Sequence, residues 1–142
     1  MTGLQISTDQ SLIDFHFVYQ SLSKQTVWAK GISKETVMIS IENSVFFGVY
    51  LNDQQIGFAR VITDQATFAY LADVFITPEH IGKGFSKELI NYIVNYSPLQ
   101  GLRRWVLVTA DAHGLYKPFG FKKPENPENY MEIRNTNVYK NT

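Results

Sequence analysis

The spacing of apolar residues divides the N-terminal third of the chain into a short strand and two helices. Residues 4–6 alternate in the manner of a strand. Apolar side chains then recur at helical spacing behind Thr8 and Asp9, two good N-capping residues, at Leu12, Phe15, Tyr19 and Leu22. A second, shorter helix is predicted after Ser33 from two apolar residues one turn apart, Val37 and Ile41. Residues 28–31 between the helices are expected to form a loop.

The middle of the chain is predicted to form three strands and a long helix. Runs rich in β-branched and aromatic residues, separated by short polar turns, cover residues 45–51, 55–63 and 66–76. This spacing favours an antiparallel meander. The turn Gly82-Lys83-Gly84 then opens a helix that should end before Pro98, because the residue preceding a proline avoids the helical region. The apolar face of that helix consists of Leu89, Ile90, Ile93 and Tyr96.

The C-terminal third predicts one buried strand, one short helix and a final strand. Residues 104–109 form a strand that is connected through a helix to residues 66–76, and parallel neighbours require such a crossover. A short helix over residues 113–119 should be distorted by Pro118. A last strand around residues 131–133 completes the sheet. We therefore predict one domain over residues 1–142 with a mixed α/β sheet, neither a bundle nor a sandwich.

The composition excludes several functional classes. With 44% hydrophobic and 18% charged residues in 142, the chain is a folded domain and not a disordered one. Thirteen basic and thirteen acidic residues cancel, which argues against a nucleic-acid partner. The absence of cysteine excludes disulfides, thiolate zinc sites and a cysteine nucleophile, and three scattered histidines predict no metal. Without a signal peptide or an apolar run of about 20 residues, we expect a cytoplasmic protein with no membrane partner.

The turn between the third strand of the meander and the next helix carries the clearest chemical signal. Glycines at positions 82 and 84 allow a close approach of ligand and backbone, and a helix start offers unpaired N–H groups. Together these features favour a phosphate or pyrophosphate group. An ordinary turn is the alternative. A nucleotide-hydrolysing P-loop is unsupported, and Lys87 stands where a dinucleotide fingerprint needs its third glycine.

Two motifs in this order resemble the GCN5-related N-acetyltransferase (GNAT) family. The first is Ile-Thr-Pro-Glu at residues 76–79 followed by Gly-Lys-Gly, and the second is Leu-Tyr-Lys-Pro-Phe-Gly-Phe at residues 115–121. The similarity extends from about residue 6 to residue 133 and points to a bacterial branch of largely unassigned substrate. The resemblance implies an α/β fold with a mostly antiparallel central sheet, a splayed parallel strand pair and about four flanking helices. It also implies acetyl-coenzyme A as cosubstrate.

The resemblance assigns two segments to coenzyme A. The pyrophosphate loop would comprise Ile81, Gly82, Lys83, Gly84, Phe85 and Ser86. Ile81 replaces the usual Arg or Gln of the family, and Ser86 replaces a Gly or Ala. The pantetheine arm would pair with the backbone of Val74, Phe75 and Ile76, where one N–H could also polarise the thioester carbonyl. The side chains of these three residues are expected to lie in the core.

The same resemblance identifies Tyr116 as the acid that protonates the departing thiolate, although a tyrosine at a helix edge can simply pack. Asp73 is the candidate general base. Its alternative role is structural, either capping a strand bulge or pairing with a cation, and His113 is another candidate base. The acceptor would contact the first two helices and the C-terminal segment, where Tyr19, Trp28 and Tyr130 could bind an apolar or cationic group.

The leading interpretation is an enzyme that moves an acetyl group from acetyl-coenzyme A to a small-molecule amine by direct attack. One alternative is a non-catalytic module that binds acyl-coenzyme A, with Ile81 and Ser86 marking lost activity. Another is a protein or peptide N-acetyltransferase. Tyr116 argues against the pure binder, which needs no acid beside a thiolate. The sequence leaves the acceptor unnamed and a homodimer open.

Overall fold

The computed structural model describes residues 3–140 and contains one five-stranded sheet with helices on both faces. In chain order its elements are β1 (Leu4–Ser7), α1 (Phe15–Gln25), α2 (Lys34–Glu42), β2 (Val45–Leu51), β3 (Gln54–Thr63), β4 (Phe68–Ile76), α3 (Phe85–Val94), β5 (Arg104–Val106) and α4 (His113–Tyr116). The strands lie in sequence order, antiparallel except for the parallel pair β4–β5. The predicted mixed and mostly antiparallel sheet is confirmed.

Two apolar clusters lie on opposite faces of the sheet. The first lies under α3 and α4 and includes Phe47, Ala59, Leu89, Ile90 and Ile93. The second lies under α1 and α2 and includes Val18, Leu22, Val37, Phe46 and Phe58. Successive strand residues point to opposite faces, so the neighbours Phe46 and Phe47 enter different clusters. This explains why β2 is a continuous apolar run and why β3 is mostly apolar, with no strict alternation in either strand.

Helix α1 begins later than the sequence predicted. Its N-cap is Asp14, whose side chain accepts a hydrogen bond from the Phe17 N–H at 3.0 Å. The backbone N–H of Asp14 donates to Oε1 of Gln55 on β3, 2.7 Å away. Asp9 instead accepts from the Ser11 N–H at 2.9 Å, within the preceding turn. The expected cap at Thr8 or Asp9 is therefore wrong, because a contact with a distant strand fixes where the helix starts.

The C-terminal part departs most from the prediction. The parallel strand is limited to Arg104–Val106, and residues 131–133 form no strand. Met131 and Ile133 are almost completely exposed, at 97% and 105%. A strand needs a neighbour to receive its backbone hydrogen bonds, and within residues 3–140 this segment has none. The chain then returns to the second cluster, where Tyr139 packs.

Among the helices formed by residues 3–140, none is long and apolar enough to cross a membrane. Over the same range, histidine, aspartate and glutamate side chains nowhere gather in a group that could hold a metal ion.

Candidate active site

The parallel strands β4 and β5 separate soon after they meet. They pair over three positions only, from Phe68 with Arg104 to Tyr70 with Val106. Beyond Tyr70, β4 continues to Ile76 and remains paired with β3 on its other side. The edge of β4 that faces β5 is thus unpaired over its C-terminal half. Its backbone N–H and C=O groups can pair with an extended ligand as they would with another strand.

A β-bulge interrupts β4 at the same level. The register with β3 shifts between Phe58 and Arg60, so that Ala59 opposes both Asp73 and Val74. Asp73 has a φ of 55°, a left-handed conformation that aspartate tolerates better than most residues. The bulge takes the backbone at these two positions out of the ladder with β3, beside the unpaired edge.

The Asp73 carboxylate joins the α1–α2 loop to the sheet. Its Oδ1 accepts a hydrogen bond from Nε1 of Trp28 at 2.7 Å, and its Oδ2 pairs with Nε of Arg60 at 2.6 Å. Arg60 also donates from Nη1 to Oγ of Ser44, 3.1 Å away. The Asp73 side chain is only 10% exposed. Of the roles considered from the sequence, pairing with a cation is the one that this geometry shows.

The glycine turn that follows β4 is an open cradle. Gly82 and Gly84 both have left-handed backbones, with φ of 85° and 81°. A Cβ placed on either would have no protein atom within 4 Å. Helix α3 begins at Phe85 with Gly84 as its N-cap, and no side chain caps it. The first N–H groups of α3 are therefore available to an anion in front of the turn.

The predicted coenzyme residues around this turn offer mainly backbone. The side chains of Phe85 and Ile76 are buried in the first cluster, and Val74 packs against it. Phe75 packs on the opposite face, with its ring 5.8 Å from Phe17. Ile81 is 65% exposed, so this departure from the family pattern leaves the cradle unobstructed.

A small cavity of about 190 Å³ lies where α1 ends beside the end of β4. Its walls are mostly apolar and include Val27, Trp28, Phe75, Ile76, Pro78 and Ile81. Trp28, a predicted acceptor residue, thus lies between this cavity and Asp73. The cavity also connects the α1–α2 loop with the glycine turn.

Tyr116 lies at the end of α4 and is 9% exposed. Its ring packs edge-on against Phe121, with centroids 5.9 Å apart. Burial raises the pKa of the Tyr116 phenol above its ordinary value. Within residues 3–140 its hydroxyl has no hydrogen-bond partner, and the side chain lines a groove of about 1190 Å³ beside β5. Tyr116 is therefore a protonated donor that the fold leaves available.

The other two predicted acceptor residues lie elsewhere. Tyr19 packs against the second cluster, and Nζ of Lys34 lies 5.7 Å from its ring centroid. Tyr130 lies along the groove beside β5, with Cζ of Arg104 5.6 Å from its ring centroid. Neither residue lines the small cavity that Trp28 lines. Arg60 was not among the site residues predicted from the sequence, although it is the one arginine within the apolar run of β3.

Comparisons with known proteins agree on one family. The model described as the acetyltransferase (GNAT) family matches residues 15–121. A Gibberella zeae protein named as a putative acetyltransferase is 34% identical over 140 residues, covering 82% of this chain and 78% of that protein. A crystal structure of a putative GNAT-family acetyltransferase from Xanthomonas campestris pv. campestris is 46% identical, with a TM-score of 0.94 and 98% of both chains covered.

A third comparison concerns the fold alone. A predicted acetyltransferase from Clostridium acetobutylicum, solved with acetyl-CoA, is 16% identical with a TM-score of 0.67. The match covers 92% of this chain and 96% of that chain. Together the comparisons confirm the family resemblance and the fold inferred from the sequence.

Proposed function

The chain belongs to the GNAT acetyltransferase family, and from that premise we propose that it moves an acetyl group from acetyl-coenzyme A to the amine of a small molecule. The observation that carries the proposal is the continuity of two ligand-binding features. The unpaired edge of β4 is followed by the uncapped glycine turn, with one short 3-10 turn at Pro78–His80 between them. An elongated ligand that carries a strand-like arm and a pyrophosphate would complement both features of this surface.

The residues present fit coenzyme A. The backbone of Val74, Phe75 and Ile76 would pair with the pantetheine arm along the open edge of β4. Backbone N–H groups between Gly82 and Ser86 would hold the pyrophosphate, in the space that a Cβ at either glycine would fill. Ile81, Lys83 and Phe85 contribute backbone at this turn. The polar hydroxyl of Ser86 can add one further donor.

Acetyl-coenzyme A supplies an activated acetyl group as a thioester. The amine nitrogen would form its bond to the carbonyl carbon while the bond from that carbon to sulfur breaks. A backbone N–H near the bulge at Val74 would stabilise the developing oxyanion. The hydroxyl of Tyr116 would donate its proton to the leaving thiolate, which fits its protonated state and free hydroxyl.

The proton lost by the amine needs an acceptor, and Asp73 and His113 are the two candidates retained. Both carboxylate oxygens of Asp73 already accept hydrogen bonds, from Trp28 and Arg60. Protonation would remove one charge of the ion pair with Arg60. This arrangement favours Asp73 as a positioning residue for Trp28, with proton transfer through it as the alternative. His113 lines the groove beside β5 together with Tyr116.

The acceptor is proposed to be small and partly apolar. The cavity next to Trp28 measures about 190 Å³ and has mostly apolar walls, which suits a compact side group better than a peptide chain. The exposed indole face of Trp28 could also contact a cationic amine. A protein N-terminus remains the second candidate acceptor.

Coenzyme A binding tests the first half of the proposal. Calorimetry should show binding to the wild-type protein and severe weakening in Gly84→Val, because the new side chain would occupy the space in front of the turn. Gly101→Val is a matched control, since Gly101 also has a positive φ, of 77°, and open space around it. Absence of binding at millimolar coenzyme A, or equal weakening by both substitutions, would contradict the assignment.

Acceptor profiling tests the second half. The protein would be incubated with acetyl-coenzyme A and a panel of small amines, and released thiol would be measured. Peptides with free N-termini form the comparison arm. We expect turnover with compact apolar or aromatic amines and little with peptides. Turnover with peptides alone would identify a protein acetyltransferase, and binding without any turnover would favour a coenzyme A-binding module.

A further inference from the structure

One hydroxyl on α1 is buried without a hydrogen-bond partner. Besides tyrosines, three polar residues are buried in the part of the chain that the structure describes, and they are Ser21, Thr26 and Gln55. Oγ1 of Thr26 donates to the carbonyl of Leu22 at 2.6 Å, and both ends of the Gln55 amide are paired. The Ser21 hydroxyl makes no hydrogen bond to residues 3–140. Buried polar groups are nearly always hydrogen-bonded, so this hydroxyl indicates a partner that the chain itself does not supply.

The place of Ser21 inside a helix makes the missing partner more informative. A serine within a helix usually bonds back to the carbonyl one turn earlier or points into water. Ser21 does neither, since it is 3% exposed and its hydroxyl is unpaired. Serine is also a poorer helix former than alanine. Neither the stability of α1 nor its packing therefore accounts for a hydroxyl at this position.

Ser21 lies on the face of α1 that meets the end of β4. Phe17, one turn earlier on the same helix face, has its ring 5.8 Å from the ring of Phe75. Ser21 and Phe75 both line the small cavity of about 190 Å³. The backbone of Phe75 belongs to the edge proposed for the pantetheine arm. The cavity therefore places the Ser21 hydroxyl beside the strand along which the thioester is proposed to lie.

The cavity offers a hydrogen bond but no charge. None of the described residues that line it has an ionisable side chain. The other polar groups in its walls are engaged or exposed: the Thr26 hydroxyl and the Trp28 indole N–H make hydrogen bonds, and Gln25 is exposed. The nearby Asp73 carboxylate is already paired with a cation. A carboxylate, a phosphate or a second ammonium group bound here would lose hydration without gaining a counterion.

We propose that Ser21 contacts the acceptor and selects amines that carry one uncharged hydrogen-bonding group, a hydroxyl or a carboxamide. This inference rests on the proposed acetyl transfer. A serine hydroxyl both donates and accepts a hydrogen bond, so it can pair with either group. The apolar walls at Phe75, Ile76 and Ile81 would hold the short carbon chain between that group and the amine.

The acceptor class is therefore that of short terminal amino alcohols and amino amides. The cavity is smaller than the pockets of about 300–1,000 Å³ that take drug-sized ligands, which limits the acceptor to a compact molecule. In the transfer, the amine nitrogen gains the bond to the acetyl carbon and loses one proton, while sulfur loses that bond and gains one proton. The hydroxyl or carboxamide of the acceptor is unchanged, so its contact with Ser21 serves selection.

A cycle of substrate and protein changes is the main test. Released thiol would be measured with acetyl-coenzyme A and terminal amino alcohols of two to five carbons, and with the alkylamines in which a methyl group replaces the hydroxyl. The wild type should favour the best amino alcohol over its alkylamine by about 3–10-fold in kcat/KM, the usual worth of one neutral hydrogen bond. Ser21→Ala should bring the two values together. A wild type without this preference, or a preference that Ser21→Ala retains, would overturn the proposal.

Ser23→Ala is the matched control. Ser23 lies on the same helix, is half-buried, and has a hydroxyl without a partner within residues 3–140, but it does not line the cavity. Its variant should keep the preference of the wild type. Ser21→Ala should unfold at the same urea concentration as the wild type or a higher one, because no protein group loses a partner. Loss of the preference in both variants would trace it to α1 as a whole and refute the assignment to Ser21.

Charged acceptors test the lining of the cavity. Terminal amino acids and diamines of the same chain lengths should react more slowly than the amino alcohols, and faster turnover of either would overturn the proposal. Calorimetry with coenzyme A separates this inference from the proposed function. Coenzyme A binding with turnover of all amines at similar rates would leave the acetyl transfer intact and refute the role of Ser21. Absence of coenzyme A binding would overturn both.

Discussion

Tyr50 on β2 is a residue whose hydroxyl the fold leaves unsatisfied. The oxygen is buried and has no hydrogen-bond partner within residues 3–140, and the phenol occupies the space where a Cβ at Gly48 would lie. A buried polar group without a partner costs about 1–3 kcal/mol. We therefore expect Tyr50→Phe to leave the free energy of unfolding unchanged, or to raise it by up to about 1 kcal/mol, in urea titrations at pH 7.

The same residue predicts a pH dependence. Burial, with the nearby carboxylates of Asp9 and Asp14, raises the pKa of Tyr50 to about 12. An unfolded tyrosine ionises near 10, so between pH 10 and 12 only the unfolded state releases this proton. The wild type should therefore lose about 1–2 kcal/mol relative to Tyr50→Phe over that window. Parallel urea titrations of the two proteins at pH 9 and pH 11.5 measure this loss. A difference in the free energy of unfolding between them that is the same at both pH values would contradict the prediction.

The chemical role proposed for Tyr116 can be distinguished from a packing role by experiment. If its phenol protonates the thiolate only as the bond to sulfur breaks, Tyr116→Phe should lower kcat by about 10²–10⁴-fold and leave the Kd of coenzyme A nearly unchanged. Burial raises the pKa of Tyr116, so ionisation of this phenol should not lower wild-type kcat at any pH below about 10, where an ordinary tyrosine ionises. Tyr92→Phe on α3 makes the same change away from the groove and should retain activity. Equal kcat in Tyr116→Phe would assign the residue to packing.

At the scale of elements, the β4 bulge ties the α1–α2 loop to the sheet. Asp73→Asn keeps the size of the side chain but removes the ion pair with Arg60, and we expect it to cost about 1–2 kcal/mol of stability. Trp28→Phe removes the hydrogen bond from the indole and makes the side chain smaller, but it leaves the ion pair between Asp73 and Arg60 in place. A positioning role predicts that both variants raise the KM for the amine and keep the shape of the pH–rate profile.

A change in the pH–rate profile would instead identify Asp73 as the general base. Loss of the acidic limb in Asp73→Asn, with partial recovery of activity at high pH, would show that this carboxylate accepts the amine proton. Trp28→Phe should keep that limb in either case, because it leaves the Asp73 carboxylate in place. The pair of variants therefore separates proton transfer from positioning.

At the scale of the whole molecule, the two apolar clusters share one sheet. Neighbouring residues of β2 and β3 enter opposite clusters. Loss of packing in one cluster would therefore disturb the strands that also carry the other cluster. We expect residues 1–142 to unfold as one domain in a single transition. Trp28 lies in the α1–α2 loop beside Asp73, and Trp105 lies on β5 against the first cluster. In each single-tryptophan variant the fluorescence and circular dichroism midpoints should coincide. A dimer would also make the midpoint rise with protein concentration.

The sequence alone determined the helices, strands and turns that depend on residues close together in the chain. The apolar runs of β2, β3 and β4 and the face of α3 depend on local patterning, and the glycine turn depends on left-handed backbones at Gly82 and Gly84. The first family motif lies in these same segments, which is why the fold and the candidate coenzyme loop could be inferred together.

The tertiary structure decided what depends on partners far along the chain. Helix α1 starts at Phe15, with Asp14 as its N-cap, because Gln55 on β3 accepts the N–H of Asp14. Asp73 pairs with Arg60 and Trp28, which the sequence separates by 13 and 45 residues. Residues 131–133 have a strand-like pattern, yet a strand exists only where a neighbour takes up its backbone hydrogen bonds, and pattern alone cannot supply one. Local preferences specify the elements, but contacts between elements specify the site.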